Sequence, residues 1–272
     1  MKSILVHAND DSCMEARMQV ALDIARRTGA HITFLQSVSY EVFAPGDFYG
    51  SAMAAALPQI KEAAESFRAR MEADLANEDA AWEWKFLYGM AESRLLEQSA
   101  LADLILVGPD DVGEDNAHRA SAMVGQLAVK ASAPVLVVPG STKRLDLTAP
   151  IMVAWNGSSE ACVAMRAAVP LLALASSVYL TIVSEDNDRN RTDFRPDQGA
   201  EYLSRHGIHA EIVEVPRGES KVSDALFSAA GNRECSMMVM GAYGHSRLAE
   251  MLLGGVTRRS LTDPQMPIFL AH

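Results

Sequence analysis

The sequence predicts an α/β protein with two doubly wound, mainly parallel sheets of about five strands each. Short apolar runs alternate with helical patterns, and this order repeats after about 147 residues of the 272-residue chain. Apolar runs between helices are typical of parallel strands whose two faces are both buried. Right-handed crossovers between such strands give a doubly wound domain. The chain is long enough for two domains of this kind.

The repeat is clearest at the start of each half. Residues 3–10 have the sequence SILVHAND, and residues 150–157 have the sequence PIMVAWNG. Each half ends with a helical stretch, an apolar strand, a loop with a helix, and a short strand after a proline. The polar stretch 140–148 separates the halves, so we predict domains at 1–140 and 149–272.

Local patterns place the elements within each half. Residues 12–15 (SCME) indicate a capping box before the first helix, and Gly29 is typical of a helix end. The other predicted helices lie at 60–75, 92–100, 161–175 and 222–230. The other predicted strands lie at 32–35, 104–107, 135–138, 178–183, 237–240 and 268–270. The irregular inserts 40–57 and 185–195 are either solvated loops or mobile lids.

Composition narrows the classes of function. The mean hydropathy is +0.03, and no apolar run reaches about 18 residues, which argues against a membrane span. The apolar run at the N-terminus is too short for a signal peptide, so we expect a cytoplasmic protein. The formal net charge of −11 disfavours nucleic acids and anionic membranes as partners. Because Cys13, Cys162 and Cys235 form no CxxC pair, zinc and dithiol redox sites are also disfavoured.

The negative charge is concentrated in the first half of the chain. Residues 1–148 contain 13 basic and 21 acidic residues, whereas residues 149–272 contain 11 and 14. The net charges are therefore −8 and −3. The second half is accordingly the better place to look for an anionic ligand.

A glycine-rich segment in the second half predicts a phosphate site. Gly241 and Gly244 follow the strand 237–240, and a second pair of glycines opens the stretch 254–257. Without a Cβ, backbone N–H groups can approach an anion closely, and the positive end of the following helix attracts it. Three arginines and one glutamate give residues 241–260 a net charge of +2.

Three segments of the second half should meet at the carboxyl ends of the strands, where open α/β sheets bind ligands. They are 154–156, the end of the strand 178–183, and the glycine-rich segment. Asn156 can hydrogen-bond a base or a ribose, and the glycine loop can surround phosphates. These parts suit an adenine nucleotide. The residues predicted to bind it are Ala154, Trp155, Asn156, Val183, Met240, Gly241, Gly244, His245, Gly254, Gly255, Val256 and Thr257.

The matching part of the first half lacks these features. Residues 108–127 include four acidic residues and one arginine, a net charge of −3, and Pro109 removes a backbone donor. Phosphates beside this cluster would meet a repulsion of about 1 kcal/mol or more for each close pair of charges. We therefore predict one phosphate site, in the second half.

These features together resemble the universal stress protein family in its tandem form. Nucleotide-binding members have the pattern G-x2-G-x9-G-(S/T) after the fourth strand and an acidic residue at the end of the first. Gly241, Gly244 and Gly254 match this spacing, whereas Gly255 stands at the Ser/Thr position and Asn156 at the acidic one. The resemblance covers nearly the whole chain. It implies an adenine nucleotide alpha hydrolase-like fold, a role in stress response, and ATP or another adenine nucleotide as ligand, with or without Mg²⁺.

The resemblance also implies how the halves assemble. In this family the short terminal strands pair across a domain–domain interface. This predicts that the strands 135–138 and 268–270 join the two halves as a pseudo-dimer. Because uncovered apolar strand edges invite pairing, a further homodimer through edge strands is also predicted.

The sequence shows no catalytic set. His206 and His209 are the only two of the seven histidines with metal-type spacing, and they fit a helix end followed by a strand better. Without a nucleophile–base pair or a Walker-type lysine, we expect a binding protein with at most slow hydrolysis rather than an enzyme. Two alternatives stay open: an interaction module that binds no nucleotide, and a nucleotide-consuming enzyme such as a ligase or a pyrophosphatase.

Overall fold

Ten strands form one continuous sheet across both halves of the chain. The computed structural model describes residues 1–39, 48–109, 121–184, 194–217, 220–242 and 255–272. The strands are β1 (Ser3–Ala8), β2 (His31–Val38), β3 (Ala81–Tyr88), β4 (Leu104–Val107), β5 (Val135–Val137), β6 (Ile151–Ala154), β7 (Val178–Ser184), β8 (Ala210–Pro216), β9 (Met237–Gly241) and β10 (Ile268–Ala271). Their order is β3-β2-β1-β4-β5-β10-β9-β6-β7-β8. The last five strands repeat the order of the first five in reverse, as two copies of one domain joined edge to edge would, which confirms the predicted fold class.

The two halves join through β5 and β10. These two strands are antiparallel, with Leu136 opposite Phe269, whereas every other pair of neighbouring strands is parallel. The short terminal strands therefore pair with each other, as the pseudo-dimer arrangement requires. In the part of the chain that the structure describes, the free edges of the sheet are β3 and β8. A homodimer, which stays a prediction, would have to use a surface other than β5 and β10.

Helices cover both faces of the sheet. They are α1 (Met14–Thr28), α2 (Phe48–Leu75), α3 (Ala91–Gln98), α4 (Ala122–Lys130), α5 (Ser159–Leu172), α6 (Pro196–Arg205), α7 (Val222–Asn232) and α8 (Gly255–Thr262), with a 3₁₀ turn at Ser99–Leu101. One apolar cluster joins the sheet to α1, α2, α5 and α6, and a second joins it to α3, α4, α7 and α8. None of the described helices is long and apolar enough to cross a membrane.

Two local predictions about the first half are wrong. The helix expected from residue 60 begins at Phe48, so residues 48–57 of the supposed irregular insert are helical. The alanine-rich sequence there favours a helix more strongly than Gly50 and Pro58 oppose it. The predicted capping box is also absent, since Cys13 is the N-cap of α1 and its side chain caps nothing. Instead, Asp11 Oδ1 accepts a hydrogen bond from the Cys13 N–H at 2.8 Å.

Candidate functional site

Predicted site residues from β6, β7, β9 and α8 lie in one apolar cluster. Ala154 pairs with Thr181 across β6 and β7, and Val183, two residues further, lies on the same face as Thr181. Val183 and Val256 pack against the cluster that includes Met240, on the α7 and α8 side of the sheet. Met240 is buried, whereas the other three apolar side chains are half-buried. This side of the carboxyl edge therefore offers apolar side chains that solvent still reaches.

Thr181 adds a polar atom that the sequence analysis missed. The residue is 0% exposed, and its hydroxyl oxygen has no hydrogen-bond partner among the residues that the structure describes. Buried hydroxyl groups rarely stay unpaired, because the lost hydration costs about 1–3 kcal/mol. The alternation of side chains along β7 could have identified it, since Thr181 lies two residues before the predicted Val183.

The segment Asn156-Gly157-Ser158 forms the turn that leads from β6 to α5. Asn156 Oδ1 accepts from the Ser158 N–H at 3.1 Å, and Gly157 has a φ of 76°. Ser158 is the N-cap of α5 and accepts from the Ala161 N–H at 3.2 Å. Asn156 is exposed, and with its oxygen engaged in the turn it presents the N–H donors of its amide to a ligand.

Trp155 lies on the opposite face of the sheet from Ala154. Its side chain is 5% exposed and belongs to the apolar cluster of α1, α2, α5 and α6. The indole Nε1 donates to Phe194 O at 3.2 Å, and a Cβ added to Gly199 of α6 would come within 3.2 Å of the ring. Trp155 can thus offer a ligand on the Ala154 side only its backbone.

Gly241 is the last residue of β9, and the first turn of α5 packs against it. An added Cβ would lie 2.6 Å from both the backbone nitrogen of Ala161 and the carbonyl carbon of Glu160. A side chain at this position would force backbone atoms of α5 or β9 to shift, so close helix packing is enough to favour a glycine. The predicted residue Thr257 is buried in α8, and its hydroxyl donates to Gly241 O at 3.4 Å.

The positive end of α8 lies beside this strand end. The helix begins at Gly255 and carries the exposed residues Arg258 and Arg259. Arg259 also lies 3.5 Å from a carboxylate oxygen of Asp224 on α7. The predicted loop residues Gly244, His245 and Gly254 lie outside the described residues, and their contacts with phosphates stay predictions.

In the first half, the corresponding strand end is covered by an internal ion pair. Gly108 directly follows β4, at the position that corresponds to Gly241 at the end of β9. A Cβ added to Gly108 would lie 2.6 Å from the guanidinium of Arg17. Arg17 is 1% exposed; its Nε donates to His7 O at 2.9 Å, and Nη2 donates to Asp11 Oδ2 at 2.8 Å. The acidic cluster predicted to repel phosphates, residues 110–115, lies outside the described residues. The absence of a phosphate site in the first half stays a prediction.

Comparison with known families decides the identity of the second half. A family model described as "Universal stress protein family" matches residues 148–270. These residues form a universal stress protein domain. The match includes all the predicted site residues, and it confirms the family that the glycine spacing and the repeat suggested.

Solved structures extend the likeness to the whole chain. A universal stress protein from Archaeoglobus fulgidus DSM 4304 matches 99% of this chain and 97% of its own, with 15% identity and a TM-score of 0.74. A Pseudomonas aeruginosa UCBPP-PA14 protein described as a universal stress protein matches 100% of this chain and 93% of its own, with 18% identity and a TM-score of 0.60. At these identities the likeness shows that the first half shares the fold of the universal stress protein domain.

A third structure is a universal stress protein in complex with cAMP. It covers 52% of this chain and 98% of its own length, with 16% identity and a TM-score of 0.33. The bound cAMP is a property of that protein. A search of curated proteins finds no significant match.

Proposed function

We propose that the universal stress protein domain at 148–270 binds an adenine nucleotide, with ATP as the principal candidate. The observation that carries the proposal is the half-buried apolar surface of Ala154, Val183 and Val256 at the carboxyl edge of the sheet. Ligand sites combine such apolar surface with a few polar groups. The amide N–H donors of Asn156 suit a base or a ribose, and the unpaired Thr181 hydroxyl lies on the same strand as Val183.

The proposed phosphate position is the glycine-rich segment between β9 and α8. Support comes from the spacing of Gly241, Gly244 and Gly254 and from the positive N-terminal end of α8. Because the Thr257 hydroxyl already donates to Gly241 O, we assign the phosphate contacts to backbone N–H groups and to the arginines of α8. The proposed nucleotide binds either with or without Mg²⁺.

The proposed role is binding in a stress response in the cytoplasm rather than turnover. Support comes from the sequence, which has no Walker-type lysine and no nucleophile–base pair. Any hydrolysis would then be slow, because positioning alone would have to supply the rate acceleration.

Calorimetric titration of the full chain with ATP tests the proposal. We expect saturable binding at millimolar concentration or below. In Gly244→Val the added side chain would block backbone N–H groups of the loop, so binding should be lost. The matched control is Gly113→Val in the first half, which should bind ATP as the unmodified chain does. If the unmodified protein shows no saturation at millimolar ATP, the proposal is wrong.

An interaction module without a nucleotide is the second candidate. The observation that favours it is Gly241, whose missing side chain is explained by the backbone of α5 without any ligand. In that case the glycines would only shape the connection from β9 to α8. Mass spectrometry of small molecules that copurify with the full chain separates the two, since a bound adenine nucleotide would exclude this candidate.

A further inference from the structure

The strand β3 forms a long free edge of the sheet. Its residues Ala81–Tyr88 pair with β2 in an unbroken parallel register, and no other strand of the described part of the chain lies beside it. β3 contains no proline, and no extra residue interrupts its pairing with β2. Proteins usually protect such an edge with a proline, a bulge or a covering segment, because its N–H and C=O groups can pair with another strand. The edge of β3 is thus suited to accept a further strand.

One hydrogen bond shows which backbone groups of β3 point outward. The Gly89 N–H, directly after the strand, donates to Val38 O of β2 at 3.0 Å. Because backbone groups alternate in direction along a strand, those of every second residue before Gly89 also point to β2. The N–H and C=O groups of Trp82, Trp84 and Phe86 therefore point away from β2, towards the free edge.

The other free edge, β8, is less suited to pair with a copy of itself. Its sequence AEIVEVP contains two glutamates and no basic residue, so no register of β8 with β8 brings opposite charges together. It also ends at Pro216, which has no N–H to donate. β3 instead carries one acidic and one basic residue, Glu83 and Lys85, two positions apart.

Symmetry restricts how β3 can pair with a copy of itself. In an antiparallel pair related by a twofold axis, opposite residues lie on the same face, so their numbers differ by an even number. A pair centred on Glu83 sets two glutamates opposite each other, and one centred on Lys85 sets two lysines opposite each other, which is unfavourable. A pair centred on Trp84 sets Glu83 opposite Lys85 on both sides of the axis. Trp82 then lies opposite Phe86, and the outward backbone groups of the central residues all gain partners.

Glu83 and Lys85 are placed for this contact. Both lie on the α3 side of the sheet, since Lys85 Nζ donates to Gln98 Oε1 of α3 at 2.5 Å and every second side chain shares a face. The Glu83 carboxylate accepts from the Thr33 hydroxyl at 3.0 Å, and its side chain is 59% exposed. The ammonium and the carboxylate can each form further hydrogen bonds. Because their backbone groups point to β2, the two residues form a non-hydrogen-bonded pair, in which opposite side chains are closest.

The α2 side of β3 adds apolar surface to the edge. Trp82 and Trp84 are half-buried against the apolar cluster of α1 and α2, and the Trp84 ring stacks on Phe34 at 5.9 Å between centroids. At the end of the strand, Tyr88 is 45% exposed and Met90 is 64% exposed. Aromatic residues and methionine are enriched at protein–protein interfaces. A second copy at this edge would thus cover apolar side chains as well as backbone groups.

We propose that two copies of the chain pair in antiparallel through β3, with Trp84 at the twofold axis and Glu83 of each copy opposite Lys85 of the other. The two ten-stranded sheets then form one continuous sheet. β3 belongs to the first half of the chain, whereas the proposed nucleotide site belongs to the second. The inference therefore does not depend on nucleotide binding.

Charge reversal at the two positions tests both the interface and its register. We expect the unmodified full chain to sediment as a dimer at micromolar concentration. Glu83→Lys places positive charges opposite each other and Lys85→Glu negative ones, so each variant should dimerise about tenfold more weakly or worse. The double variant Glu83→Lys/Lys85→Glu brings opposite charges together again and should recover the dimer. An equimolar mixture of the two single variants should recover it for the same reason.

Glu211→Lys, at an exposed glutamate of the other edge strand, is the matched control and should dimerise as the unmodified chain does. Thermal unfolding verifies that each variant folds, and if one reversal prevents folding, the other single variant makes the same test. A full chain that is monomeric at high micromolar concentration would overturn the inference. Single variants that dimerise normally, or a double variant no stronger than the single ones, would also overturn it. Loss of the dimer in Glu211→Lys would place the interface at β8 instead.

Discussion

At the scale of single residues, the ion pair of Arg17 and Asp11 is the most buried of those in the described part of the first half. Arg17 is 1% exposed, and Asp11 is 31% exposed. Asp11→Ala would leave the buried guanidinium without its counter-charge, so we expect a loss of about 2 kcal/mol or more in the free energy of unfolding. The neighbouring pair of Asp10 and Arg70 is exposed at 66% and 55%. Asp10→Ala should therefore cost less than about 0.5 kcal/mol. Urea unfolding of both variants measures the difference, and equal losses would contradict a structural role for the buried pair.

His7, whose carbonyl accepts from Arg17, makes the stability depend on pH. Burial and the Arg17 charge lower the pKa of His7 from 6.5 to about 4, against a smaller opposing effect of Asp11. Between these values the unfolded chain binds a proton that the folded protein does not, so stability falls as the pH falls from about 6.5 to about 4. The loss from this residue is about 3 kcal/mol. In a pH series of unfolding measurements, His7→Gln should no longer show this decrease in stability. His31→Gln, a substitution at an exposed histidine, should still show it.

At the scale of elements, the packing of α5 on the end of β9 explains Gly241. Gly241→Ala would press a Cβ against backbone atoms of α5 at 2.6 Å, so we expect a loss of about 1–3 kcal/mol in the free energy of unfolding. In Gly231→Ala the added Cβ would meet nothing within 4 Å, and alanine is the better helix former, so α7 should gain about 0.5–1 kcal/mol. Denaturant unfolding of both variants tests this. If Gly241→Ala were as stable as the unmodified chain but failed to bind ATP, the glycine would serve the ligand instead of the helix.

Elements were predictable from the sequence where local patterns determine them. The apolar run Leu104–Val107 is a strand with those bounds, and Gly29 ends α1 in the left-handed conformation. Contacts between distant segments were not predictable in this way. Glu160 and Gly241 are separated by about eighty residues in the sequence, and only the packing of α5 on β9 brings them together. The position of the Arg17 side chain was unpredictable for the same reason, because nothing in the sequence of α1 indicates that the guanidinium covers Gly108.

At the scale of the whole molecule, β5 and β10 turn two five-stranded sheets into one. Residues 268–270 of β10 are fully buried, and they pair with β9 on one side and with β5 on the other. The chain thus uses internally the apolar strands that would otherwise be exposed at the edge of each half. This arrangement makes the predicted boundary between 140 and 149 directly testable.

A fragment of residues 149–272 would expose the edge of β10 that β5 covers in the full chain. We expect the fragment to fold and to dimerise by antiparallel pairing of β10 with its copy, because an exposed apolar strand edge pairs readily. Sedimentation of the fragment at micromolar concentration measures this, and Phe269→Lys, which places a charge in the paired strand, should shift the fragment towards monomer or prevent its folding. The circular dichroism spectrum separates those two outcomes. A fragment that is monomeric and fully folded would show that β10 needs no partner strand, and an unfolded fragment would show that the two halves are not independent domains.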